Sequence, residues 1–191
     1  MKRHIFSALI LLFAGLTVSA QTTEKTVEKI RKVYNEVAEM ARLAESDDDH
    51  GQTGGLVMNE LVVNKLGHQW RAVGIYQQTF KFFYKGGDTE EHMYPDQLVM
   101  VKAERKVSNR TYTEEYLFDD AGELVFYFQK AENDERSPAE RRIYFAAASP
   151  VRMIEDKAQR EKLTASDLKN AREIYAGAGR IKELFGRSIK L

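Results

Sequence analysis

Residues 110–130 read RTYTEEYLFDDAGELVFYFQK, and the middle of this stretch decides the fold. Phe118-Asp119-Asp120-Ala121-Gly122-Glu123 carries an aspartate that starts a type I turn and a glycine suited to a left-handed bulge position. Aromatic and β-branched residues alternate with polar ones on both sides of it. A hairpin closed there sets Phe118 opposite Leu124 and Tyr116 opposite Phe126. That register gathers Tyr112, Tyr116, Phe118, Leu124, Phe126 and Phe128 on one face. Thr113, Glu115, Leu117, Val125, Tyr127 and Gln129 fall on the other. One strongly apolar face beside a mixed one predicts an antiparallel sheet packed on a single side.

Working outward, the period of two extends from about residue 56 to 154. Strands are expected over 56–63, 74–84, 97–107, 110–118, 123–130 and 141–148. Helical periodicity flanks this block. Val27, Ile30, Tyr34, Val37, Ala41 and Ala44 form a stripe over 24–45, with Thr22 or Thr23 as cap and Glu24 at the positive end of the dipole. Ser46-Asp47-Asp48-Asp49 and Gly51 stop it. Thr164 and Asp167 resemble a capping box before a stripe of Leu168, Ala171, Ile174, Tyr175, Ala178, Ile181, Leu184 and Phe185, a helix over about 164–185. Helix, run of strands, helix is the order of an α+β fold. The expected architecture is an antiparallel meander of about five to seven strands packed by an N-terminal and a C-terminal amphipathic helix.

Residues 1–20, MKRHIFSALILLFAGLTVSA, carry two positive charges, an apolar run from Ile5 to Leu16 and a small-residue Val18-Ser19-Ala20 site. This order predicts a signal peptide cleaved after Ala20. The apolar run is shorter than the ~20 residues a bilayer-spanning helix needs. The expected mature chain, 21–191, is a single exported domain in the periplasm or outside the cell, with no transmembrane segment.

Composition removes several function classes. The 29 basic and 29 acidic side chains lack the basic excess of nucleic-acid binders. With no cysteine there is no disulfide, thiolate nucleophile or Cys-based metal site. No phosphate-binding loop, nucleophile elbow or H-E-x-x-H helix occurs, and no motif asks for a cofactor. Gly177-Ala178-Gly179 begins like a dinucleotide fingerprint but follows no strand. His50, after three aspartates, lacks calcium-loop spacing and reads as solvated loop. His92, after Glu90 and Glu91, has no positioned partner. His68 beside Trp70 reads as a bend between strands. Asn109-Arg110-Thr111 matches a glycosylation acceptor. Glu114 falls on the apolar face, where a carboxylate needs a partner such as Arg105, Arg141 or Arg142. The basic excess of residues 157–191 complements the acidic remainder, so the last helix is expected to pack on its own domain.

The text Tyr116-Leu117-Phe118-Asp119-Asp120-Ala121-Gly122-Glu123-Leu124-Val125-Phe126-Tyr127-Phe128, followed by Arg141-Arg142-Ile143-Tyr144-Phe145, resembles uncharacterised secreted or periplasmic proteins of Bacteroidetes-type bacteria. These likewise join a signal peptide and N-terminal helix to Tyr/Phe-rich strands and a glycine-turn hairpin. The resemblance covers about the central third of the mature chain. It implies an envelope location and brings no activity with it.

The leading functional expectation is a noncatalytic binding or interaction module for an unknown small ligand or envelope protein. Trp70, Tyr76, Tyr94 and Tyr127 are its candidate contact residues. One alternative is an acid–base hydrolase joining a carboxylate (Glu114, Glu90 or Glu91) to His68 or His92 in a cleft. Another is an envelope assembly or inhibitor protein, which would show an exposed strand edge or patch instead of a pocket.

Overall fold

The structure, a computed structural model, describes residues 4–46, 55–86, 90 and 95–189, and side chains from Gln21 onward. Its elements are α1 (His4–Ala44), β1 (Val57–Val63), β2 (Gln69–Trp70), β3 (Gly74–Lys85), β4 (Gln97–Val107), β5 (Arg110–Phe118), β6 (Leu124–Glu132), β7 (Glu140–Ala146), β8 (Ser149–Glu155), β9 (Ala158–Arg160) and α2 (Ala165–Ser188). The class is the expected α+β. The strands number nine, more than the five to seven expected. Two of the additions, β8 and β9, hide behind Pro150 and a three-residue length. Among the described residues no helix is long and apolar enough to cross a membrane.

The sheet is an antiparallel meander in the order β1-β3-β4-β5-β6-β7-β8-β9, with β2 also pairing β3. Tight turns join β4 to β5, β5 to β6, β7 to β8 and β8 to β9. At the β5–β6 turn Gly122 takes φ 75° and its N–H donates to the Asp119 carbonyl at 2.8 Å. The Asp119 side chain accepts from the backbone N–H groups of Ala121 (3.0 Å) and Glu123 (2.9 Å). The β7–β8 turn places Ala147 (φ 47°) and Ala148 (φ 62°) both in the left-handed region, as a type I′ turn demands.

The register differs from the expected one at a single point. Phe118 does face Leu124, but Leu117 faces Phe126 and Tyr116 faces Tyr127, leaving Val125 without a partner. The extra residue is a β-bulge, and beyond it every side chain of β6 changes face. Phe126 and Phe128 therefore lie on the opposite side from Tyr116 and Phe118, while Tyr127 and Gln129 join them. Val99 in β4 and Val151 in β8 are skipped in the same way. The three bulged valines are evenly spaced along the chain, and each lies near the start of the second strand of its pair, at one end of the sheet.

Both faces are consequently apolar, and each carries a helix. This corrects the one-sided packing expected from the hairpin. Helix α1 buries Val27, Ile30, Val37 and Ala41 against Phe83, Met100, Leu117, Phe126 and Tyr144. Helix α2 buries Ala171, Ala178 and Phe185 against Phe82, Tyr84, Phe118, Tyr127, Ile143 and Phe145. Full burial of each such large apolar side chain contributes about 1.5–3 kcal/mol. Helix α1 starts far before residue 24. Residues 17–28 hold neither proline nor glycine to break it. Thr22 and Thr23 are thus interior to the helix instead of caps, and the Thr26 hydroxyl donates back to the Thr22 carbonyl at 3.0 Å.

The start of α2 is as expected. The Asp167 N–H donates to the Thr164 hydroxyl at 3.1 Å, and the Thr164 N–H donates to the Asp167 carboxylate at 2.9 Å. Further along, the Tyr175 hydroxyl donates to Glu123 and Lys182 Nζ to the Gly122 carbonyl at 2.8 Å, clamping the β5–β6 turn to the helix. Two charged knots fasten the sheet. Arg152, 1 % exposed, bonds Glu24 of α1 at 2.6 Å and also Glu161. Arg160 bonds Glu155 (2.6 Å) and Asp167 (3.0 Å), and Arg141 joins Glu155 at 2.9 Å. Burial pushes the Glu155 carboxyl up but is outweighed by Arg160 and Arg141, leaving it below its usual 4.5. Burial likewise pushes the Asp167 carboxyl up but is outweighed by the Thr164 backbone and Arg160, leaving it below its usual 3.8.

Three outcomes follow for stability. Gly122→Ala places a Cβ 2.4 Å from Lys182 Nζ at a left-handed φ. It is expected to cost about 1–2 kcal/mol in urea unfolding. Gly179→Ala meets nothing within 4 Å, and in a helix interior it is expected to stabilise by roughly 0.5–1 kcal/mol. The lowered carboxyls contribute stability above 4.5 that is lost as pH falls through 3.8 and below. Arg160→Gln should flatten that acid limb, measured as the unfolding midpoint across pH.

Candidate functional site

The segment Asn64-Lys65-Leu66-Gly67-His68 interrupts what is otherwise one edge strand. Val63 faces Gln78 of β3, and Gln69 next faces Ile75, so six steps on the edge match three on β3. Asn64, at φ 54°, closes the gap from within. Its amide donates to the carbonyls of His68 (2.8 Å) and Tyr76 (2.6 Å), and its Oδ1 accepts the His68 N–H at 3.0 Å. Gly67, at φ 68°, donates to the Asn64 carbonyl at 2.9 Å, and Gln77 donates to the Lys65 carbonyl at 3.1 Å. The Leu66 side chain is thrown outward, 79 % exposed.

This edge concentrates the protein's exposed apolar surface. Seven large hydrophobic residues are exposed among the described residues, and six of them, Val57, Val62, Leu66, Trp70, Val73 and Ile75, belong to β1, β2, β3 and their connections. Trp70 stacks on Tyr76 with ring centroids 5.0 Å apart and planes 29° apart. The Tyr76 hydroxyl donates to Gln78 at 2.6 Å, which fixes that ring as the platform. No described strand pairs with the outer side of β1, so the N–H and C=O groups of its alternate residues face outward. Natural edges are commonly blunted with lysine, proline or inward charge. β1 reads VMNELVV and has one charge, Glu60.

Trp70 and Tyr76 thus come together as candidate contacts. Tyr94 lies outside the described residues, as do His50, His92 and Glu91. Tyr127 does not join them. It is 1 % exposed beneath α2, and its hydroxyl donates to Glu114 at 2.9 Å. The Tyr116 hydroxyl (3.2 Å) and the Gln129 amide (3.2 Å) complete the set around that carboxylate. Glu114 is therefore held by two tyrosines and a glutamine in place of the arginine expected. Arg105 instead lies over the Tyr112 ring, Arg141 pairs with Glu155, and Arg142 with Glu140. Burial, and then the Glu114 charge, push both tyrosine hydroxyls well above the usual range. Proton donors of this kind hold the carboxylate in place, and no histidine is among its partners. His68 is exposed and bonded through its backbone. Among the described residues no group of three or more His, Asp or Glu is placed to hold a metal.

Leu66, Val73 and Ile75 were not read from the sequence as contact residues. The signal was an apolar residue inside a turn-forming run, NKLGHQW, where a buried side chain has no strand to carry it inward. The Asn109 acceptor sits exposed in the β4–β5 turn. Comparison with family models, with curated proteins and with solved structures finds no match for this chain.

Trp70 is the only tryptophan, so its fluorescence reports the edge directly. Asn64→Ala removes three hydrogen bonds that close the interruption. It is expected to raise acrylamide quenching of Trp70 and to speed amide exchange over 66–70, with a stability loss of about 1–3 kcal/mol.

Proposed function

We propose that this chain is an exported, noncatalytic interaction module that takes an extended segment of a partner polypeptide along the β1–β2 edge. The single observation that carries the reading is the concentration of exposed apolar side chains on an edge whose outer side pairs with no described strand. An added strand gains affinity from ladder hydrogen bonds, each worth about 0.5–1.5 kcal/mol net, and specificity from side chains at alternate positions. Leu66, Trp70 and Ile75 supply apolar contact, at about 25 cal/mol per Å² covered. The Trp70–Tyr76 stack is already ordered, so little side-chain freedom is lost on contact.

Export rests on residues 1–20, read as a signal peptide cleaved after Ala20. The envelope or the extracellular space is then the place of action, and an envelope protein the kind of partner. Apolar edges of this sort are aggregation hazards unless something covers them, which supports a standing partner in that compartment.

The test is site-specific photo-crosslinking in the native host. A photoreactive residue at Leu66 or Val62 should yield one discrete adduct, and one at the exposed Lys169, in the first turns of α2 on the β9 side of the sheet, should yield none. Trp70→Ala combined with Val62→Lys should abolish the Leu66 adduct while leaving the protein folded. Equal adducts from edge and control positions would overturn the reading.

A further inference from the structure

We infer that the cleft between α1 and strands β6–β7 is a binding site for a small carboxylate carried on a flat apolar body. The cleft encloses about 220 Å³ and is lined by Arg31, Tyr34, Asn35, Phe126, Arg142 and Tyr144. It lies on the α1 face, on a different set of strands from the β1–β2 edge, and the inference does not rest on the reading of that edge.

The argument starts from a contrast within the molecule. Where two cations meet elsewhere, one carboxylate stands between them. Glu45 takes Lys81 at 3.3 Å and Lys102 at 3.2 Å, and Glu155 takes Arg141 at 2.9 Å and Arg160 at 2.6 Å. Arg31 and Arg142 line the same cleft from a helix and a strand with no shared carboxylate among the described residues. Each turns elsewhere for its partner. Arg142 bonds Glu140 at 2.8 Å, and Arg31 comes only to 4.0 Å from Glu24, which is itself bonded to Arg152. Glu115, on neighbouring β5, is taken by the Tyr34 hydroxyl at 2.5 Å. Burial, then Glu115, push that hydroxyl up, so it stays a donor to Glu115.

The remaining polar atoms of the cleft add donors. Tyr144, 3 % exposed, accepts from Arg31 Nε at 3.2 Å, and its own O–H has no acceptor among the described residues. Asn35 presents an exposed amide at the mouth. Two arginines and a buried tyrosine hydroxyl line this one cleft, a donor set of the kind that fits a planar carboxylate. The floor is aromatic. Tyr34 meets Phe126 edge-on at 4.9 Å, and Phe126 meets Tyr144 at 5.0 Å. The volume lies under the roughly 300–1,000 Å³ of drug-sized pockets, which sets the ligand at about one ring.

Benzoate is the probe, benzamide its neutral isostere and acetate its headgroup alone. Titration of the mature protein, followed by calorimetry and by NMR shifts of the residues lining the cleft, should show saturable benzoate binding. Benzamide should not bind, and acetate should bind far more weakly. Arg31→Gln and Arg142→Gln should each weaken benzoate about tenfold or more, the effect of one lost charge-assisted hydrogen bond. Tyr144→Phe, which keeps the ring, should weaken it less. Arg187→Gln should leave it unchanged. Benzamide binding as well as benzoate would overturn the proposal. So would arginine variants that fold and bind like wild type, or the absence of saturation at tens of millimolar. Edge crosslinks that persist through such a failure would leave the polypeptide-binding reading standing.

Discussion

Three valines without partners across the ladder set the layout of the whole molecule. Val99, Val125 and Val151 each insert one residue into the second strand of a hairpin. A strict two-residue period allows one apolar face per strand. The insertion lets a strand present apolar side chains to one helix near its turn and to the same helix again beyond it, with two consecutive residues turned to the other helix between. In β6, Leu124 and Tyr127 serve α2, while Val125 and Phe126 serve α1. Bulges also bend the strand and raise its twist, and these three lie on alternate strands at the same end of the sheet.

The same device settles the polar chemistry of the α2 face. The Val125 insertion brings Tyr127 and Gln129 onto the side of Glu114, where they saturate its carboxylate together with Tyr116. Read with an uninterrupted period, Glu114 stands among hydrophobic rings and calls for an arginine. Read with the insertion, it has three donors from its own sheet. Arg141, Arg142 and Arg105 are then available for other work, two of them over aromatic rings.

What was legible in the sequence was local. The strands 97–107 and 110–118 have their expected bounds, because turn residues and alternation mark them directly. The Thr164–Asp167 capping box and both helical stripes are likewise written within a few positions. What was not legible depends on distant partners. No property of Val125 alone announces that it will be skipped, and the second apolar face is visible only once the skip is known. Pro150 argues against a strand by itself, yet β8 accommodates it beside the bulge, next to Val151. At the edge, Trp70 and Tyr76 were legible as aromatic residues in a polar run. Leu66, Val73 and Ile75 were not, since their exposure is a fact about what fails to cover them. The two sheet edges also differ. β9 ends the sheet with three residues and the charged Arg160, while β1 leaves it with seven and the single Glu60.

The bond between Arg152 and Glu24 joins residues 128 positions apart, and it ties the start of the α1 stripe to the second-last strand. A chain synthesised from its N-terminus makes α1 first and its anchor almost last. Until β8 exists, the stripe of Val27, Ile30, Val37 and Ala41 has no complete surface to meet, and the Glu24 carboxylate lacks its Arg152 donor. Contacts this distant in sequence slow folding, because the loop between them must close before they stabilise anything. The hairpins, all local, are free to assemble beforehand. The nascent protein therefore spends its vulnerable interval as a growing sheet with a greasy helix waiting beside it, a natural client for whatever holds unfolded chains apart.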